Sequence, residues 1–176
     1  MDDKLLLKTL VDANLLAQES ASLVLRDSAS LRKSAEDIIF ERRLVPDAEL
    51  VKIKSQLLGV PAKSVSSNEL SLEILKLIPE ATARSYRVIP LSKEKNLLVV
   101  GMVSQEDTSA QEALRYIARQ QKLSLGVYLI SRGDFDAALR LYSPLSNEIQ
   151  QAVKSLNVAP EASTFKKVKL EAGGKI

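Results

Sequence analysis

Apolar residues recur at helical spacing through the first third of the chain. Leu6, Leu7, Leu10 and Val11 fall on one face of a first helix, and Asp2 or Asp3 can cap its free N–H groups. Ala21 to Leu25 predicts a short second helix. Ser30 is placed to cap a third, with Leu31, Ala35, Ile38 and Ile39 on one face. Pro46 suits the first turn of a fourth, where a missing N–H costs nothing. That helix presents Leu50, Ile53 and Leu57 before Gly59-Val60-Pro61 stops it. Residues 2–58 therefore read as helical. At an offset of 29 residues, Leu10–Leu16 aligns with Ile39–Val45, and Ala21 and Val24 align with Leu50 and Ile53. Each copy reads helix, tight turn, helix, an outline that two unrelated amphipathic helix pairs would share by chance.

The period changes further on. Ser64 to Asn68 is a polar hinge, and Asn68 is placed to cap a helix over Glu69–Leu77. Ile78-Pro79 ends or kinks it, because the residue before proline is pushed out of the α region, and a helical turn can continue through Ala83. Arg87–Leu91 and Leu97–Val103 are apolar runs separated by the polar turn Ser92–Asn96, which predicts a hairpin. Pro90 cannot donate to a ladder, so the first strand is an edge or bends there. The second run is apolar on both faces, as a covered central strand requires.

Asp107 or Thr108 caps a helix striped by Ala110, Ala113, Leu114, Ile117 and Ala118. Leu123–Ile130 is a third strand, entered through a helix and therefore parallel to a strand before it. Ser131 or Asp134 starts a last helix, with Phe135, Ala138, Leu139 and Tyr142 on one face. Ser146–Leu156 allows one more short helix, and beyond Pro160 the chain has little to bury and reads as linker. The fold class is α+β (mixed α/β): an N-terminal helical subdomain and a small three-stranded mixed sheet flanked by helices. The boundaries are 1–66 for the helical part, 67–144 for the α/β part and 145–176 for a short helix and tail.

Composition narrows the chemistry. The chain has no cysteine and no histidine, which leaves no thiolate or imidazole metal site and no imidazole-based triad. No apolar run approaches the ~18 residues that span a bilayer, and Met1-Asp2-Asp3 is acidic where a signal peptide is basic, so a cytoplasmic protein without direct membrane insertion is expected. The net charge of +3 is spread along the chain instead of concentrated on one stretch, which argues against a nucleic-acid partner. Gly173-Gly174-Lys175-Ile176 lacks the Ser/Thr and the upstream glycine of a phosphate-binding loop. Glu106-Asp107 and Asp134/Asp136 stand at expected helix starts, where negative charge complements the dipole, so they read as structural. No catalytic residue, cofactor or metal is expected.

The stretch from Leu77 to Tyr142 resembles the N-terminal domain of the type II secretion and type IV pilus assembly ATPases. That domain reads Ile-Pro, then an aromatic and Val-Ile-Pro-Leu, a Val/Ala-Met strand, an Asp and a closing Tyr. Here these are Ile78-Pro79, Tyr86, Val88–Leu91, Leu97–Val103, Asp107 and Tyr142. The resemblance covers most of residues 1–144. It implies a non-catalytic docking domain that attaches the motor to the cytoplasmic part of an inner-membrane platform protein. The motor ATPase domain would then lie in cis, beyond residue 176 of a longer parent, or in another chain.

Many relatives carry in the helical half a tandem module for cyclic di-guanylate. Its copies resemble Arg-Leu-Gly, then Leu-Val-x-x-Gly-Leu-Ile, then a helix ending in Gln. Arginine meets guanine or phosphate, and glycine lets the backbone approach a flat base. The 29-residue repeat lines up with these copies, but the contacting positions do not match. In the first copy they are Leu5, Leu7, Asn14 and Ser28; in the second, Ser34, Glu36, Arg43 and Leu57. All are changed, and Glu36 would oppose an anion. No ligand-binding residue is therefore expected. The readings in competition are docking, a regulatory module that still binds a cyclic dinucleotide, and a helical adaptor unrelated to secretion.

Overall fold

Asp2 accepts the Lys4 N–H at 3.0 Å and starts α1 (Asp3–Asp12), whose Leu6, Leu7 and Leu10 are buried. The computed structural model describes residues 1–143, together with Ala152 and Ser155. Met1–Tyr142 forms one compact unit. The helix expected over 146–156 and the linker beyond Pro160 lie outside the described residues, save Ala152 and Ser155.

The second helix is longer than its apolar positions predict. Helix α2 runs Gln18–Leu31, because Ser22 and Ser30 donate back to the carbonyls of Gln18 and Arg26 instead of breaking it. Ser30 is therefore no cap, and Leu31 is exposed. Arg32, in the left-handed region, ends α2. Ser34 then caps α3 (Ala35–Glu41) by accepting the Asp37 N–H at 3.1 Å. Pro46 precedes α4 (Asp47–Leu58), which ends on Gly59 at φ 66, as its sequence predicts. One hydrophobic cluster joins these four helices, built on Leu6, Leu10, Val24, Ile38, Ile39 and Leu50.

The segment over 64–70 is anchored at two points. Val65 and Leu70 are buried, and the Val65 N–H donates to Asp134 Oδ2 at 2.9 Å. Asn68 lies in a 3-10 turn (Ser67–Glu69), so a helix cannot begin until Ser71 caps α5 (Leu72–Leu75). Pro79 stands at the start of α6 (Glu80–Tyr86).

Strand β1 (Val88–Glu94) pairs antiparallel with β2 (Leu97–Met102), and β2 pairs parallel with β3 (Ser124–Leu129). The order is β1-β2-β3, which leaves β1 at an edge and β2 central, as expected. The register shifts between Pro90 and Ser92, so Leu91 is the extra residue of a bulge beside the proline that cannot donate. Past it, Ser92, Lys93 and Glu94 continue the ladder, and the turn shrinks from five residues to Lys95-Asn96. Lys95 takes the positive φ of 47 that such a turn demands.

Helix α7 (Thr108–Gln120), capped by Asp107, makes the crossover to β3 and buries Ala110, Leu114 and Ala118. Helix α8 (Arg132–Leu139), capped by Ser131, buries Phe135 and Ala138. A second hydrophobic cluster, including Ile78, Ile89, Leu98, Val100 and Leu114, packs the sheet with its helices. Gly101 lies under Ile130, whose Cγ2 would stand 2.6 Å from any Cβ there. The Tyr142 hydroxyl lies 3.1 Å from both the Leu75 and Ile78 carbonyls. Burial, with the charge of Glu80, raises its pKa above the ordinary tyrosine value and keeps it a donor.

Candidate functional site

The two helix pairs are built on one backbone plan. In the first turn, Asn14 N–H donates to Val11 O at 2.9 Å and Leu15 N–H to Leu10 O at 2.9 Å. In the second, Arg43 N–H donates to Phe40 O at 3.2 Å and Leu44 N–H to Ile39 O at 3.1 Å. Each bond recurs 29 residues on. Asn14 and Arg43 both sit in the left-handed region, at φ 56 and 52. Buried positions coincide as well: Leu6 with Ala35, Leu10 with Ile39, Leu16 with Val45, Ala21 with Leu50, Val24 with Ile53.

The eight motif positions do not converge on one pocket. In the first pair, Leu5 is half-exposed, Leu7 is buried, and Asn14 is an exposed turn residue. The Ser28 hydroxyl lies 2.7 Å from the Lys33 carbonyl and 3.0 Å from Asp3 Oδ2. In the second pair, Ser34 caps α3 and Glu36 faces Lys54, and both line a cavity of 140 Å³ with Asp37 and Arg87. Arg43 lines a different groove with Phe40, Val45 and Leu50, while Leu57 packs on the helical core. In the second copy, the Ser34 hydroxyl and the Glu36 carboxylate are bonded to the chain itself.

A charged junction forms where the second pair meets the sheet and α8. Lys54 is 3 % exposed, and its ammonium donates to Glu36 Oε1 and to the Val103 carbonyl, each at 2.7 Å. Asp37 pairs with Arg132 and stands 3.5 Å from Arg87. Burial alone would raise the Asp37 pKa, but the Ser34 hydroxyl, Arg132 and Arg87 outweigh it and hold it below the usual range. The Arg132 guanidinium also lies 4.8 Å over the Phe40 ring, and Gly133 N–H donates to Asp47 Oδ2 at 2.7 Å. A Cβ at Gly133 would meet that same oxygen at 2.7 Å, so a larger residue there would push the Asp47 carboxylate aside. Lys54 had a sequence signal: it falls on the apolar stripe of α4, between Ile53 and Leu57. The contact from Arg132 to Asp37 spans 95 residues and had none.

Asp107 accepts the Ala110 N–H and Asp134 accepts the Val65 N–H, both structural uses. Among the described residues, no three acidic side chains gather as metal ligands. No helix among them is long and apolar enough to cross a membrane.

Residues 58–149 match the MshEN domain family, more than half of the chain. The chain belongs to that family. It is thereby an N-terminal domain of the type II secretion and type IV pilus assembly ATPases. Among solved structures, that of MshE with cdg is similar at a TM-score of 0.60 and 17% identity, covering 78% of this chain and 98% of that one. The N-terminal domain of XpsE is similar at a TM-score of 0.58 and 14% identity, covering 80% of this chain and 95% of that one. At such identities the likeness is one of fold. No curated protein matches the chain by sequence.

The MshEN match begins at residue 58, after all eight motif positions. It rests on α5 to α8 and the sheet, while the helical pairs join the comparison only through shape. Membership therefore speaks for the α/β part and is silent on what the helical grooves hold.

Proposed function

We propose that this MshEN domain is a cytoplasmic, non-catalytic docking and assembly module of a secretion or pilus motor ATPase. It links the motor domain, in cis or in trans, to the cytoplasmic part of an inner-membrane platform protein. We read residues 1–66 as a helical subdomain of two degenerate repeats and 67–144 as the α/β subdomain. The observation that carries the docking reading is the use of the second motif copy: Ser34 caps a helix and Glu36 is paired with a buried lysine. A scaffold kept while its ligand contacts turn inward is a scaffold retained for its surface. The test mixes the purified chain with the cytoplasmic part of the platform protein from the same machine. A one-to-one complex with a dissociation constant near ~10 μM or tighter is expected. Failure to associate at ~100 μM of each would overturn the reading.

The likeness to MshE with cdg favours a second reading, a regulatory module for cyclic di-guanylate. The arithmetic opposes it here. A charge-assisted hydrogen bond is worth about 1.5–3 kcal/mol. Losing several of them removes at least ~5 kcal/mol, a factor of several thousand in affinity. Calorimetry at tens of micromolar should therefore register no binding of cyclic di-guanylate, and a dissociation constant below ~10 μM would promote the regulatory reading.

A further inference from the structure

The second helix pair shows what its own groove accepts. Asp37, Phe40 and Asp47 receive the start of α8: the Arg132 guanidinium pairs with Asp37 and covers Phe40, and Gly133 N–H sits on Asp47. At the repeat offset these three positions correspond to Lys8, Val11 and Gln18 of the first pair. All three line a groove of 160 Å³ between α1 and α2, together with Lys4, Leu7 and Leu25. No acidic side chain lines it, and neither lysine takes part in an ion pair among the described residues. The backbone plan is shared; the start of α8 occupies the Asp37 side of the second groove, while the matching side of the first carries the opposite charge at Lys8 and has no occupant among the described residues.

We propose that the α1–α2 groove docks an acidic segment of a protein partner, a carboxylate meeting Lys8 and Lys4 where Arg132 meets Asp37 in the filled groove. Apolar groups of the same segment cover Val11 and Leu25, as Arg132 covers Phe40. The assignment rests on the docking reading for the kind of partner, and on the repeat for the place. Lys4 and Lys8 are exposed, so a charge reversal there leaves the fold intact.

The test is an amide-resolved NMR titration of the whole chain. The probe is a synthetic peptide of residues 130–142 of this sequence carrying R132E. Shift changes are expected at Lys4, Lys8, Val11 and Gln18. Affinity should fall about tenfold for the peptide that keeps Arg132, and about tenfold for the chain carrying Lys8→Glu, as loss of one close charge pair implies. Equal binding of the two peptides, shifts confined to other elements, or none at ~1 mM peptide would each overturn the proposal. So would cyclic di-guanylate moving the same amides and displacing the peptide. The platform protein separates the two claims. If it binds the Lys8→Glu chain undiminished, the groove is wrong and docking stands; if the peptide binds and the platform protein does not, docking fails and the groove stands.

Discussion

The α1–α2 and α3–α4 pairs share their turns, their left-handed residues and their buried positions, yet their grooves are opposite in character. Where the second pair has Glu36 and Lys54, the first has Leu7 and Leu25; where the second has Asp37 and Asp47, the first has Lys8 and Gln18. The second pair is bound into the sheet and α8 by those charges. The difference teaches that a repeat's backbone is set by its apolar positions, while its surface positions are free to decide whether a groove faces the chain or another molecule.

The sharpest way to break this comparison is to write the first pair's solution into the second. Glu36→Gln keeps an acceptor oxygen within reach of Lys54 but leaves the buried ammonium without a countercharge, and should cost about 3 kcal/mol, the toll of an uncompensated buried charge. The double change Glu36→Leu with Lys54→Leu reproduces Leu7 and Leu25 and removes both charges together. It should cost less than half as much, because a buried ion pair and its apolar replacement are close in energy. Urea unfolding of both variants decides it. A double variant less stable than the single one would show that the two grooves are not interchangeable frames.

What the sequence made legible follows the range of the forces involved. Caps at Asp2, Asp107 and Ser131, the Gly59 stop, and the order and direction of the strands are local or near-local. The extent of α2 exceeds what its apolar positions predict because serine has two uses, capping a helix or donating to a carbonyl one turn back, and only the fold selects between them. The bulge at Leu91 let polar residues extend β1 where alternation alone predicts a turn. The junction was hidden for a different reason. Its carboxylates on α3 and α4 meet the start of α8, and no local rule joins residues so far apart in the chain.

The next effect is smaller and carries a pH signature. Arg132→Ala removes an ion pair and a cation–π contact from the filled groove and should cost about 2 kcal/mol near neutral pH. Lys8→Ala, at the position in the open groove that matches Asp37, should stay within about 0.5 kcal/mol. The folded pKa of Asp37 lies below its ordinary value of 3.8. Its contribution is therefore present above that ordinary value and is lost as pH falls through the folded one. The gap between wild type and Arg132→Ala should be full at neutral pH and narrow under acid, once Asp37 takes up a proton. Asp37→Asn should remove that narrowing. A gap that is constant from neutral pH into acid would mean that Arg132 acts through packing on Phe40 alone.

The smallest expected effect tests the shared turn itself. Asn14 and Arg43 hold the same left-handed backbone, at φ 56 and 52, and sit where the cyclic di-guanylate motif has glycine. A left-handed conformation costs an ordinary L-residue roughly 1–2 kcal/mol, and asparagine less, because its short polar side chain bonds locally. Glycine removes that cost but loses more backbone freedom on folding, about 0.5–1 kcal/mol. Arg43→Gly should therefore gain about 0.5–1 kcal/mol and Asn14→Gly only a few tenths. Both turns are exposed, so neither change opens a cavity that would mask the result. Thermal melts of the two variants read the order directly. If Arg43→Gly is less stable than wild type, the arginine side chain is holding the groove it lines with Phe40 and Leu50, and the second turn is not a copy of the first.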